Sequence, residues 1–438
     1  MGSNIVVDRC DFQPGSIIDN RYSVKKLLGE GSFGAVYLVE DSQKVKYALK
    51  ILRLWEVPSD MRGGLILRFK REYRIGQLEP SNIHLVHSLN YSEIGGNPYF
   101  LMDFCPEGDL QPYLGNPKGY TSQICYDILS GLHALHQNGF VHRDLKPENV
   151  LFREGNIAAL TDFGISGDQN ERMTTMSIFG KPNQIFGTWA YMPPEQVKRA
   201  RNDATVLPTT DIFSFGVLVY QILTGQLPFG TLESHNDLAE YIKRGENGQW
   251  NRQVLSNVPD GQQWSKLISG CLVPNYKDRI QTVAEVYRLV PQNSSESEDR
   301  PSVSSQHEIP SVYSPKVVTH GYQLRMMNGD ESGQLFDLTS MLRKGRRVLT
   351  VGRQADNSVF IKSVYYEYIS RHHATLEASS DGRKWIIRDG QWDTATQQWR
   401  FSRNGTYVNS TPVEWEGLFL KAGDIITMGD ITLRFENY

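Results

Sequence analysis

Three glycines, Gly29, Gly31 and Gly34, are spaced G-x-G-x-x-G within KKLLGEGSFGAVYLVE, residues 25–40. Such spacing lets backbone lie close against a phosphate, because no side chain holds it away. A dinucleotide site would begin a helix at the glycines, so that the helix N-terminus meets the pyrophosphate. Here Ala35-Val36-Tyr37-Leu38-Val39 follows, which is strand material, so the glycines fall in a hairpin turn able to cover phosphates as a flap. Sixteen residues after Gly34, Ala48-Leu49-Lys50 places a lysine on the next strand; alone, it would read as a solvated strand lysine. Two further stretches, FVHRDLKPENVLF (140–152) and LTDFGIS (160–166), gather Asp144, Lys146, Asn149 and Asp162. Near the other end, TVGRQADNSVFI (350–361), YISRHHATLE (368–377) and FSRNGTYVNS (401–410) hold Arg353, Ser370, Arg371 and Arg403. Each of these stretches alone is weak: Arg353 reads equally as a surface charge, and Asn404-Gly405 as an ordinary hairpin turn.

The elements that must position these residues follow from periodicity. Residues 21–58 carry YSVKKLL, AVYLVE and KYALKIL, β-branched or aromatic runs broken by glycine and by DSQK, which predicts consecutive hairpins. Helical spacing appears over about 61–78, 120–139 and 211–225, with 262–290 as a helical tail. The character changes at 291, where PQNSSESEDRPSVSSQHEIPSVYSPK is dense in Ser and Pro and lacks apolar periodicity, as linkers do. Beyond about 321, short alternating runs (YQLRM, RVLTVG, SVFI, HATLEA, KWIIRD, LFLK, IITMG, ITLRFE) punctuated by Gly, Asp and Asn predict an all-β sandwich or barrel.

With 438 residues, 39% hydrophobic and 22% charged, the chain predicts two or three ordinary globular domains. A net charge of -3 gives no reason to expect nucleic acid or a membrane as partner. Cys10, Cys105, Cys125 and Cys271 show no metal-ligand spacing, which predicts reduced thiols and a cytoplasmic location. MGSNIVVDRCDF has neither the basic start nor the apolar core of a secretory signal, and Val6 stands where a myristoylation pattern wants Ser or Thr. The run IFSFGVLVYQILTG (212–225) is too short to span a bilayer and predicts a buried helix.

Taken together, the glycine turn, Ala48-Leu49-Lys50, His142-Arg143-Asp144, Lys146, Asn149, Asp162-Phe163-Gly164, Pro194-Glu195, Asp211, Gly216 and Arg279 resemble a eukaryotic-type (Hanks-type) serine/threonine protein kinase over about residues 20–290. The resemblance implies an α+β, two-lobed fold that binds ATP with Mg²⁺, or Mn²⁺ in its place. It implies Asp144 as acceptor of the attacking hydroxyl's proton, Lys146 at the γ-phosphate, and Asn149 and Asp162 as metal ligands. Lys50 would hold the α- and β-phosphates, fixed by a carboxylate on the following helix: Glu72, with Glu79 beside Pro80 as runner-up. The implied nucleotide pocket comprises Leu28, Gly29, Gly31, Gly34, Val36, Ala48 and Lys50, with Met102 as gatekeeper, Asp103 to Cys105 as hinge, and Asp109 at the ribose or as a helix cap. A non-catalytic pseudokinase scaffold is the competing class; it usually lacks the lysine or one of the aspartates, all present here. PPE stands where A-P-E is usual, through Pro193, and NYKDR leads into Arg279 less typically. By the same resemblance, Arg143 would pair with a phosphate on the segment between Asp162 and Glu195. Thr174, Thr175 and Ser177 are the candidate acceptors there, and Thr188 is read as the threonine fixed near Asp144 and Lys146.

The three C-terminal stretches, in order G-R, S-x-x-H and N-G-T-x-V-N, resemble the forkhead-associated (FHA) domain, a β-sandwich that reads phosphothreonine peptides, over about 322–438. That implies Arg353 and Ser370 at the phosphate or peptide, Asn404 on the peptide backbone, His373 supporting the loops from below, and Thr406 and Asn409 shaping the third loop. Charge adds Arg371 and Arg403 to the phosphate contacts. GQWDTATQQWRFSR, ahead of Asn404, is longer than the usual connection. The expected organisation is an N-terminal extension (1–20), a kinase domain (21–290), a linker (291–321) and an FHA domain (322–438). Expected partners are protein substrates and phosphothreonine proteins, its own autophosphorylated copy among them. A linker of about thirty residues spans roughly 30 Å as a coil, which leaves the reader free to search.

Overall fold

The structure is a computed structural model, and it describes residues 7–31, 33–115, 120–163, 189–199, 207–292, 321–327, 332–343, 347–362, 369–379, 382–393, 398–414, 416–429 and 431–438. Thr174, Thr175, Ser177, Thr188 and Gly164 lie outside the described residues.

The first lobe is built on one sheet ordered β1-β2-β3-β4-β6-β5. Its strands are β1 (Ile17–Ile18), β2 (Tyr22–Glu30), β3 (Gly34–Glu40), β4 (Lys46–Leu52), β5 (Ser88–Ile94) and β6 (Asn97–Asp103). Alternation sorts β3, β4 and β6 onto two faces. Tyr37, Val39, Leu49, Ile51, Tyr99 and Leu101 pack one way, against Cys10, Phe12 and Ile18. Ala48, Leu52, Phe100 and Met102 pack the other way, against Leu65 and Phe69 of helix α1 (Ser59–Ile75). Residues 7–20, read from sequence as an extension, are therefore a strap whose apolar side chains complete the outer face of this sheet. Buried Asn97 holds the strap in place, its amide donating to the Asp8 and Gly95 carbonyls while its oxygen accepts from the Leu54 amide.

The second lobe packs helix α2 (Thr121–Gln137), the hairpin β7 (Val150–Arg153)–β8 (Ile157–Leu160), and helices α3 (Pro194–Arg199), α4 (Pro208–Thr224), α5 (His235–Glu246), α6 (Gly261–Cys271) and α7 (Val283–Tyr287). Helix α4 is buried nearly all round, begins with Pro208 in its first turn and ends at Gly225 in the left-handed conformation, φ 70°. The expected tail over 262–290 is not one helix. It breaks after α6, where Pro274 cannot continue a helix and the chain wraps around the buried Arg279 guanidinium, which bonds the Val273, Thr209 and Pro274 carbonyls.

Residues from 321 onward form a sandwich of two sheets, ordered β10-β9-β21-β20-β17-β18 and β12-β11-β13-β14-β19. The first contains β9 (Tyr322–Met326), β10 (Leu335–Asp337), β17 (Thr406–Val408), β18 (Thr411–Pro412), β20 (Ile425–Met428) and β21 (Ile431–Asn437). The second contains β11 (Val348–Gly352), β12 (Val359–Phe360), β13 (Ala374–Ala378), β14 (Trp385–Asp389) and β19 (Leu418–Leu420); a short helix α8 (Leu338–Arg343) follows β10. Leu324, Leu349, Val351, Leu376, Trp385, Ile426, Leu433 and Phe435 fill the space between. The long connection before Asn404 is a hairpin of its own, β15 (Gln391–Asp393) against β16 (Gln398–Arg400), with Trp392 opposite Trp399. Among the described residues no helix is long and apolar enough to cross a membrane, and the four cysteines are free and buried.

Candidate active site and candidate phosphate-reading site

Pairing of β3 with β4 sets Val36 opposite Lys50, which carries the lysine under the glycine turn. Lys50 Nζ lies 2.6 Å from Glu72 Oε1 and 2.5 Å from Asp162 Oδ1. Glu79, the other candidate, faces elsewhere and accepts from Asn138 Nδ2 at 2.7 Å. Burial opposes charge on all three groups of this cluster. Two carboxylates nevertheless push the lysine above its ordinary value, and Lys50, aided by Lys146, pulls Asp162 down to about 2. Glu72 is pushed up, because burial and the Asp162 charge together outweigh the lysine.

The glycines differ in their reason for being glycine. A Cβ on Gly34 would stand 2.4 Å from the Ile51 carbonyl, so the strands themselves require it. Gly29 has nothing within 4 Å of such a Cβ, Gly31 only the Gly34 carbonyl at 4.0 Å, and neither has a positive φ. Among the described residues no side chain uses the space there, which fits a phosphate-bearing ligand beneath the turn. Below it, Val36, Ala48, Met102 and Cys105 share one apolar cluster with Leu151, a wall for a flat ring that the sequence reading did not single out. Leu28 stands outside that cluster and is 40% exposed.

Asp103, expected at the hinge, is pinned from both lobes. Its Oδ2 accepts from the His87 amide at 3.2 Å and from Arg153 at 2.7 Å, with His87 Nδ1 at 3.1 Å, while its own amide donates to the His87 carbonyl. Burial would raise this carboxyl, but His87 and Arg153 hold it at about 2. Asp109 Oδ1 accepts from the Gln111 amide at 3.0 Å, a turn-forming role in place of the helix cap weighed above.

Asp144 is buried beside its partners: Lys146 Nζ donates to Oδ2 at 3.0 Å, and Asn149 Nδ2 donates to the Asp144 carbonyl at 2.7 Å and to Oδ2 at 3.2 Å. The β7–β8 hairpin pairs Val150 with Leu160, and the Thr161 amide donates to the Asn149 carbonyl, so Asn149 and Asp162 sit at adjoining strand ends. Among the described residues no group of three His, Cys, Asp or Glu could hold a metal alone. A pair of oxygen ligands suits Mg²⁺, which binds through one or two side chains plus substrate phosphates. Asp211, fully buried, fixes the loop that carries Asp144 by accepting from the His142 and Arg143 amides at 2.7 and 2.8 Å, with His136 Nε2 at 2.8 Å. Glu195 and Arg279 form a buried bidentate pair at 2.7 and 2.9 Å.

At one end of the sandwich three loops meet. Arg353 is exposed, its Nε donating to the Ile369 carbonyl at 2.7 Å; the Ser370 hydroxyl accepts from the Arg403 amide at 3.0 Å. Arg371 and Arg403 are exposed beside them and Asn404 is buried. His373 lies underneath. Its Nδ1 accepts from the Ser370 amide at 2.9 Å, so Nε2 carries the proton toward the Gly405 carbonyl at 3.1 Å, and burial keeps the ring neutral. Thr406 ties the third loop to Asp389 at 2.8 Å, but Asn409 lies at the far end of β17, bonded to Asp424. Supports that sequence reasoning missed are Asp389, which also accepts from the Ser402 hydroxyl and amide, and the buried Asn357–Gln391 bond at 2.9 Å. The Asp389-Gly390 turn was their only signal.

A family model for the protein kinase domain matches residues 22–288, and one for the FHA domain matches 349–429. The chain is 32% identical over 224 residues to a probable serine/threonine-protein kinase PknB of Lactococcus lactis, covering 50% of this chain and 34% of that protein. It is 33% identical over 237 residues to serine/threonine-protein kinase pkn2 of Myxococcus xanthus, 51% of this chain and 27% of that protein. Serine/threonine-protein kinase PknL of Mycobacterium bovis is 28% identical over 319 residues, 70% of this chain and 75% of that protein. The chain thus spans only about a third of the Lactococcus protein and about a quarter of the Myxococcus one.

Proposed function

The chain belongs to the protein kinase family and ends in an FHA domain, and from that premise we propose that it transfers the γ-phosphate of ATP to Ser and Thr hydroxyls of proteins. The observation that carries this reading is Lys50 held between Glu72 and Asp162 beneath an open glycine turn, with Asp144 flanked by Lys146 and Asn149. Phosphoryl transfer asks a protein mainly for positioning and charge neutralisation. Lys50 orients the α- and β-phosphates, and Glu72 keeps it aimed. Asp144, held by Asn149 and kept in place by Asp211, receives the proton of the attacking hydroxyl, while Lys146 faces the transferring group. Asn149 and Asp162 would hold Mg²⁺, or Mn²⁺ in its place, which would supply positive charge against the phosphates. Met102, Asp103 and Cys105 line the adenine side, with Val36 and Ala48 above it.

The second site is a phosphothreonine reader in which Arg353, Ser370, Arg371 and Arg403 face the phosphate and Asn404 the peptide backbone. Its partners are protein substrates or an autophosphorylated copy, in the cytoplasm. Thr174, Thr175 and Ser177 are the proposed acceptors for that autophosphorylation, read out through Arg143.

Labelled ATP tests the first reading. The wild type labels itself and a general protein substrate on Ser and Thr, and Asp144→Ala does not; equal labelling by both, or none by either, would sink it. For the second, a phosphothreonine peptide library is retained by wild type and lost by Arg353→Ala. Retention of the unphosphorylated library at the same level refutes it.

A further inference from the structure

The outward side of a sandwich sheet ordinarily faces water, yet one cross-strand row on the six-stranded sheet does not. Strand pairing sets Tyr407 opposite Thr427 and Thr427 opposite Thr432, and the Met327 amide donates to the Thr432 carbonyl. Their strand neighbours Val408, Ile426, Met428, Ile431 and Leu433 fill the core, so alternation turns this row outward. It is nevertheless as buried as a core: Tyr407 7%, Thr427 7%, Thr432 6% and Met327 8% exposed.

Tyr407, Thr432 and Met327 in this row meet the large lobe of the same chain. The Tyr276 and Tyr407 hydroxyls are hydrogen-bonded at 2.9 Å, their rings edge-on at 6.5 Å. Gly139, which closes helix α2 with φ 74°, lies so near that a Cβ there would stand 2.6 Å from Thr432 Cγ2 and 3.1 Å from Met327 Cβ. Arg434 donates to the Gln137 carbonyl, satisfying one of the orphan acceptors at the C-terminus of α2, where a cation also suits the helix dipole. Gly139 has two reasons to be glycine, its own backbone and the neighbouring domain.

We propose that this row is an intramolecular docking face: the FHA domain is seated on the large lobe by Tyr407, Thr432, Met327 and Arg434, with Tyr276 and the end of α2 as its receptor. The segment between residues 292 and 321 then joins two docked bodies and does not let the reader roam the roughly 30 Å of a free coil. The seat also has an address. Tyr276 lies three residues before Arg279, which grips Glu195, while the Tyr407 ring lies 3.2 Å from a Cβ position on Gly405, beside Asn404. The phosphate-reading loop and the anchor of the segment that ends at Glu195 therefore meet at one tyrosine pair. The docking itself does not depend on what that loop binds.

Hydrogen exchange with small-angle scattering on the full chain tests this, with each variant read out on the opposite domain. Thr432→Arg, on the sandwich, should speed exchange at 137–139 about tenfold and enlarge the radius of gyration. Tyr276→Ala, on the large lobe, should do the same at 406–408. Reading across the interface separates loss of docking from local damage, and two variants on opposite sides guard against either failing to fold. Wild-type exchange on the far side in both variants, with unchanged scattering, overturns the proposal.

Discussion

Lys50 bonds two carboxylates that arrive from different parts of the chain, Glu72 on α1 and Asp162 after β8. Only one of them can be its lasting partner if the other is to hold a metal, and the positioning role proposed for Glu72 is testable. Glu72→Gln keeps a hydrogen-bonding oxygen but removes the charge, and kcat/KM for phosphoryl transfer should fall roughly ten- to a hundredfold, ~1.4–2.7 kcal/mol of transition-state stabilisation. Steady-state kinetics at varied ATP measures it. Asp103 yields a pH prediction. Its carboxyl is held at about 2 in the folded chain, below the ~3.9 of an unfolded aspartate. The stability it contributes, about 2 kcal/mol, is therefore complete above pH ~4 and is lost as pH falls toward 2. Asp103→Asn should lower stability at pH 7 and flatten the acid limb of a urea-midpoint profile between pH 4 and 2. A limb as steep as that of the wild type would show that other carboxyls govern it.

At the scale of elements, the break between α6 and α7 is organised by one ion pair. Arg279 is fully buried and bonds Glu195 through two nitrogens, besides three backbone carbonyls. Arg279→Met strands the Glu195 carboxylate in the interior, which should destabilise the large lobe by roughly 3–5 kcal/mol in denaturant unfolding. The sandwich loops depend on a comparable device. Asp389, itself buried, holds the third loop through Ser402 and Thr406. Asp389→Ala should weaken phosphopeptide binding about tenfold without changing the residues that face the peptide, as calorimetric titration would show.

For the whole molecule, the proposed nucleotide site draws on both lobes, with Lys50 and Glu72 from the first and Asp162 from the second. MgATP at a hundred times its Kd should stabilise the two-lobed unit by about 2.7 kcal/mol, several degrees in its thermal transition. The shift should shrink in Asp162→Asn, which keeps the shape but loses the metal-holding charge; an undiminished shift would remove Asp162 from that role. The strap over residues 7–20 belongs to this scale too. Cys10, Phe12 and Ile18 cover a sheet face that β3, β4 and β6 would otherwise leave open.

Sequence alone determined what is local in cause. The hairpins through Lys50, helices α1, α2 and α4, the sandwich strands and the glycine turn follow from alternation, helical spacing and backbone permissiveness, which act over a few neighbouring residues. Motif spacing also brought Asn149 and Asp162 together, because a short hairpin fixes their separation whatever surrounds it. Tertiary structure decided the rest. Glu72 rather than Glu79 meets Lys50 because of where α1 packs, and Leu151 joins the apolar cluster of Val36, Ala48 and Met102 only when the lobes meet. Asn409, expected to shape the third loop, was carried to the far end of β17. The tail after α6 broke because Arg279 needed carbonyl partners more than the chain needed another helical turn. The outward row Tyr407–Thr427–Thr432 reads in sequence as an ordinary solvated strand face. Tyr407 and Thr432 meet residues more than a hundred positions away, and no local pattern encodes a neighbour at that distance.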